Sequence, residues 1–249
     1  LTNMALNAKK VPTGNSSKFK KQDPVEPGTY PARLVQIIDL GIQPQRPYKG
    51  AEKPPCQTIQ LTWELVDEFM MDEDGNELED KPRWVSETMP FRNLNSDLAK
   101  STKRYKALDP KEEFEGDFSQ LLGLPANVLL TTYEVKNGPN AGSENNSVDN
   151  VTAMRPRDAA KTPELVNEPK IFVLDEPDLE VFLSLPDFLQ EKIKANLEYS
   201  GSALEAALEG DSGKAQGKAK KPAEQPPEDA EGQEEPDFSD DDEDMPWDE

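Results

Sequence analysis

The stretch QPQRPYKGAEKPP, residues 43–55, sets Arg46, Lys49 and Lys53 around one aromatic, Tyr48, with Glu52 as its only acid. Cations in such a loop track phosphates, and an aromatic face stacks flat rings. In single-stranded nucleic acid that stacking contributes roughly 1–3 kcal/mol per base. A second set follows in RWVSETMPFRN, where Trp84, Ser86, Thr88 and Arg92 share one parity. That parity is mostly polar, so Trp84 is expected as an exposed stacking surface. Arg33 has the polar parity of the first apolar segment. Lys100, Lys103, Arg104 and Lys106 form a positive face on a helical stretch.

Other chemistries lack their residues. The chain has no histidine, which removes Ser-His-Asp and Cys-His nucleophiles and the usual Cys/His zinc sites. GPNAGSEN lacks the Lys-Ser/Thr of a phosphate-cradling loop. DEDGNELED superficially resembles a calcium loop. Counted from Asp72, however, the sixth position is Glu77, and Gly75 falls two places early, so it reads as a turn. No spacing singles out a pair among the many carboxylates. Neither an enzyme nor a cofactor or metal is expected.

Charge divides the 249 residues into three parts. The first 21 carry five lysines and no acid, and residues 222–249 carry 14 acids and no Lys or Arg. The whole chain has a net charge of −22. Without the acidic end the remainder is only mildly negative, and a groove needs local positive potential rather than a positive total. No long apolar run and no charged-then-apolar leader occurs, so neither a membrane span nor a secreted protein is expected. Cys56 is the only cysteine, which excludes an internal disulfide and fits a reducing compartment.

The elements that must position these residues begin near Val25. PGTYPARLVQIIDLGI is β-rich and alternates imperfectly. CQTIQLTWELV alternates cleanly, with Ile59, Leu61, Trp63 and Leu65 facing inward. Asp74-Gly75 supplies a tight hairpin turn. The third strand, around Trp84, is limited to an edge or bulge by Pro90. SDLAKSTKRYKAL predicts a helix capped by Asn95 or Ser96, with Leu98, Thr102, Tyr105 and Leu108 on one stripe. A second helical stretch starts at Asp109-Pro110, and ANVLLTTYEVKN and NSVDNVTAMRP add two strands. Three strands, a helix and two strands give the connectivity of a mainly β, five-stranded OB-fold Greek-key barrel with a helical insert between strands 3 and 4.

The domain expectation is a disordered basic arm over 1–24, a nucleic-acid-binding core over 25–158 and a helical extension over 159–210. The extension, with Phe188, Leu189, Ile193 and Leu197 in an amphipathic pattern, packs on the core or on a second copy. Residues 211–249 are a disordered linker and acidic tail.

That tail ends SDDDEDMPWDE: Asp240, Asp241, Asp242, Glu243 and Asp244, then Met245, Pro246 and Trp247. With an OB-like core and a low-complexity linker, it resembles the single-stranded DNA-binding proteins of bacteria and bacteriophages. Their tails run Asp-rich, then aliphatic, Pro and Phe; here tryptophan replaces phenylalanine, and Asp248 and Glu249 follow. The resemblance implies a non-catalytic protein that coats and protects single-stranded DNA in replication, recombination and repair. It also implies a tail that recruits polymerase, helicase, primase or recombination proteins, or folds back over the protein's own groove. It further implies a cytoplasmic protein, in the bacterial host if phage-encoded, and a possible homo-oligomer. A different class, an acidic DNA mimic or adaptor that never touches DNA, is suggested by the total charge. Against that stand the 46–53 loop and the basic arm.

Overall fold

The computed structural model describes residues 22–212, except Arg46, Tyr48, Glu73 and residues 137–140. The basic arm up to residue 21, the linker and the tail residues Asp240 to Trp247 lie outside the described residues. The chain is mainly β. Its strands are β1 (Gly28–Gln43), β2 (Cys56–Met71), β3 (Glu77–Pro90), β4 (Pro125–Glu134), β5 (Glu144–Ala153) and β6 (Lys170–Phe172). The helix α1 (Lys100–Leu108) and a 3-10 turn, Phe118–Leu121, separate β3 from β4. After β5 come α2 (Pro156–Ala159), then β6, and then α3 (Leu179–Ser184), α4 (Asp187–Lys194) and α5 (Ala203–Ser212).

The main sheet runs β3-β2-β1-β4-β5 with antiparallel neighbours, and β6 adds to β1 in parallel through Gln36–Ile38. The β2–β3 connection is the expected turn: Asp72 accepts from the backbone of Asp74 and Asn76, and Gly75 has φ 85°. Imperfect alternation in β1 has a physical cause. Register shifts between Leu34 and Gln36, and between Asp39 and Gly41, each insert a residue and flip the faces. Ala32, Leu34 and Ile37 therefore enter the main core with Ile59, Leu61, Trp63 and Leu65. Ile38 and Leu40 instead join Phe172, Phe182, Leu189, Ile193 and Leu204 in a second core. The 159–210 extension is thus docked on its own chain.

The closed five-stranded barrel is corrected: the sheet has six strands and is open between β3 and β5. Side chains span the gap that a ladder would fill. Arg104 of α1 donates to the Glu87 carboxylate on β3 at 3.0 Å from both Nε and Nη2. It also donates to Asn150 Oδ1 (3.3 Å) and to the Asp149 carbonyl (3.2 Å) on β5. Trp63 Nε1 donates to the same Glu87 carboxylate at 3.0 Å, and Lys100 lies 3.4 Å away.

Helix α1 starts later than expected. Ala99 is its N-cap, with no side-chain cap bond, because Asn93 captures Asn95 N and Ser96 N in a preceding turn. Leu98, expected on the apolar stripe, is exposed, as is Leu197 in the extension. The second helical stretch shrinks to the 3-10 turn because Glu112, Glu115 and Gly116 all take positive φ.

Candidate nucleic-acid interface

The β1–β2 loop is pinched at its base. Gln45 Nε2 donates to the Pro54 carbonyl, and Gln45 Oε1 accepts from Arg92 Nη2 at 3.4 Å. One carboxamide therefore closes the loop that carries Lys49 and Lys53 and ties it to the end of β3. Arg92 is itself held by its backbone N–H, which donates to Ser101 Oγ of α1 at 3.0 Å. Lys49 is exposed in a left-handed turn with Gly50, Lys53 is half-buried, and Lys103 is exposed on α1. Lys49, Lys53 and Arg92 share this end of the molecule. Arg46 and Tyr48 lie outside the described residues.

Two predicted contacts, Arg104 and Arg33, are buried, and a third, Trp84, is half-buried. Arg104 is 2% exposed, inside the network that bridges β3 and β5. Arg33 is 8% exposed and donates to the carbonyls of Pro163 (2.6 Å), Gly123 (2.7 Å) and Thr162 (2.9 Å). Its cross-strand partner Glu64 is 1% exposed and accepts from Val166 N, Asn167 N and Asn167 Nδ2. Trp84, expected as an open stacking face, is half-buried and donates Nε1 to Glu64 at 3.1 Å. Residues 162–167 thus cross the polar face of the sheet, with Arg33 binding their carbonyls and Glu64 their amides. Thr58, Gln60 and Thr62, read as outward, are buried as well. The covering segment lies about 100 to 130 residues away in sequence, which local alternation does not register.

Three acids cluster at one end of β1 and β2, with Arg83 beside them. At the end opposite the loop, Tyr30 sits among Glu26, Asp67 and Glu68. Desolvation raises the carboxyls of Asp67 and Glu68 above their ordinary range, and for Glu68 repulsion from Asp67 adds to it. The Lys49–Lys53 loop and Arg92 lie at the other end, where Glu52, Glu115 and Asp39 are the acids.

Sequence reasoning missed the residues beside Arg92. Phe91, Asn93, Leu94 and Asn95 border a groove shared with Gln57 and Glu115. The signal available was an aromatic-cation-amide run, FRNLN, directly after a strand. Among the described residues, no group of three His, Cys, Asp or Glu side chains converges to hold a metal. No helix among them is long and apolar enough to cross a membrane. No protein-family profile, curated protein or solved structure matches this chain.

Proposed function

We propose that this protein binds single-stranded DNA without catalysis, through the rim formed by the β1–β2 loop and the end of β3. The observation that carries this reading is the Gln45 pinch, which joins Arg92 to the loop of Lys49 and Lys53. The strand order, with α1 between β3 and β4, is compatible with an OB-type connectivity in a sheet that stays open between β3 and β5. The β1–β2 loop is a usual contact element of that architecture. On this reading Lys49, Lys53, Arg92 and Lys103, with Arg46 and Tyr48, bind the strand. The tail from Asp240 to Trp247 recruits replication and recombination proteins, its acids steering approach and Trp247 anchoring. The setting on this reading is the cytoplasm, that of the bacterial host if the protein is phage-encoded, where coated strands serve replication, recombination and repair.

Fluorescence anisotropy of a labelled dT oligonucleotide across a salt series tests this, for the full chain and for a chain stopped after Ser212. Expected are affinity that falls with salt, tighter binding without the acidic end, and a shallower slope for Lys49→Ala/Lys53→Ala. Each lost phosphate contact removes about 0.7 from a single-strand slope. Absence of binding by both forms at low salt would refute the reading and favour the DNA-mimic or adaptor class, for which the net charge of −22 speaks.

A further inference from the structure

We propose that the groove beside Arg92 is a site for one base of a single strand, with its ring on Phe91 and its phosphate on Arg92. This deepens the nucleic-acid reading above and rests on it. The groove is open to solvent and has a volume of about 630 Å³. Its floor is apolar. Phe91 meets the buried Phe118 edge to face, with ring centroids 5.0 Å apart and planes at 85°, which fixes the orientation of the Phe91 ring. Its rim is polar: Arg92, Asn93, Asn95 and Gln57 on one side, Glu115 on the other.

The groove is held open from beneath. Its two walls are the β3–α1 turn and the loop over 110–118, and buried hydroxyls of α1 fix both. Ser101 Oγ accepts from Arg92 N, and Thr102 Oγ1 donates to the Asn93 carbonyl at 3.3 Å. Across the gap, Tyr105 OH accepts from Gly116 N at 2.8 Å and donates to Asp109 Oδ2 at 3.0 Å. Asp109 then accepts from Glu113 N and Phe114 N. Ser101, Thr102 and Tyr105 are all fully buried. A helix that anchors the backbones of two separate walls sets the distance between them before any ligand arrives.

Backbone strain falls on the same wall. Glu115 takes φ 51° and Gly116 φ 88°, and a side chain at Gly116 would meet Leu94 Cδ1 at 3.3 Å.

The polar groups set the ligand's direction. Arg92 has no carboxylate within ion-pair distance among the described residues, and its guanidinium lies on the side of the Lys49–Lys53 loop. The phosphate therefore sits there. Glu115, on the facing wall, repels phosphate and accepts from the N–H groups on a base edge. Asn93 Oδ1 accepts from Asn95 N and Gln57 Nε2 donates to Asp39 Oδ2 at 3.4 Å, which leaves the Asn93 N–H groups and the Gln57 Oε1 acceptor for a base edge. The Asn95 carboxamide makes no hydrogen bond to a described residue, so it is available to a ligand.

The test is an NMR titration of the full-length, nitrogen-15-labelled protein with a five-residue dT oligonucleotide, paired with affinities for variants. Expected are shifts of the Asn93 and Asn95 carboxamide signals and the Gly116 amide. Phe91→Leu keeps the apolar contact with Phe118 and removes the stacking ring, and it is expected to bind about tenfold more weakly. Asn95→Ala, at an exposed position, weakens binding several-fold with an unchanged melting temperature and serves if Phe91→Leu does not fold. Binding that leaves those signals unmoved, with Asn95→Ala at full affinity, overturns the groove and leaves the cationic rim standing. No binding of the oligonucleotide at all removes both.

Discussion

Replacing Arg104 by methionine tests how the open sheet is held. Methionine keeps much of the side chain's volume and removes the guanidinium. Glu87, 2% exposed, then loses a two-nitrogen charge-assisted pair at 3.0 Å, and Asn150 Oδ1 and the Asp149 carbonyl lose their donor across the gap. Removing one partner of a buried ion pair costs about 3–5 kcal/mol, because the remaining charge stays desolvated. Lys100 at 3.4 Å and Trp63 Nε1 at 3.0 Å still compensate Glu87, which places the expectation near the lower end, about 3 kcal/mol. For a domain of this size that corresponds to a melting temperature lower by about 6–12 °C. The assay is urea unfolding followed by tryptophan fluorescence, since Trp63 is fully buried and touches the network. Adding Glu87→Gln removes the stranded charge and keeps an acceptor for Trp63, so the double variant is expected to be more stable than Arg104→Met alone. A single variant that loses under about 1 kcal/mol, or a double variant no more stable than the single, would refute the reasoning; both sit far outside the loss expected for a buried charge left unpaired.

Arg33→Ala leaves three carbonyls of the covering segment and of Gly123 without their donor. Hydrogen bonds to a charged group contribute about 1.5–3 kcal/mol, and limited proteolysis should show new cleavage within 160–170. Gly41→Ala forces a Cβ to within 2.7 Å of Asn196 Cγ and 2.8 Å of Leu174 Cδ1 at φ +74°. It is expected to destabilise the extension by about 1–3 kcal/mol in chemical unfolding. At Asp109, burial alone would raise the carboxyl, but donors from Phe114, Glu113 and Tyr105 outweigh it and hold it below its ordinary value. Its contribution is therefore full above the ordinary carboxylate range and is lost as the pH falls through the lowered folded value. Melting temperatures from neutral to acid pH should show a shallower acid loss in Asp109→Asn, with Asp72, Asp97 and Asp117, also lowered, supplying the rest. Glu68 has the opposite sign: its raised folded value opposes folding at neutral pH. Glu68→Gln is therefore expected to raise the melting temperature at pH 7 and to give no gain in acid.

Much of the fold follows from local pattern. Clean alternation in β2 identifies the strand and the inward side of Trp63, because a pleated strand puts alternate residues on opposite faces whatever lies beyond them. Gly75 marks the hairpin because few other residues take its positive φ. The order of the first five strands, with a helix after the third, was likewise legible, whereas the approach of Arg92 to the loop of Lys49 and Lys53 was not, because Gln45 links them only in the folded chain. Alternation states which side a residue faces and is silent on what covers that side. Arg33 and Trp84 were assigned to a polar face, yet residues 162–167 return to cover it, and only the fold brings them there. The open seam has the same origin: Arg104 looks like any surface cation on its helix until Glu87 of β3 and Asn150 of β5 converge on it. The groove beside Phe91 exists because Ser101, Thr102 and Tyr105 are turned inward to hold two loops apart. Whether a charge is solvated or buried against a partner depends on desolvation and pairing across long sequence separations, and those quantities exist only once the chain has closed on itself.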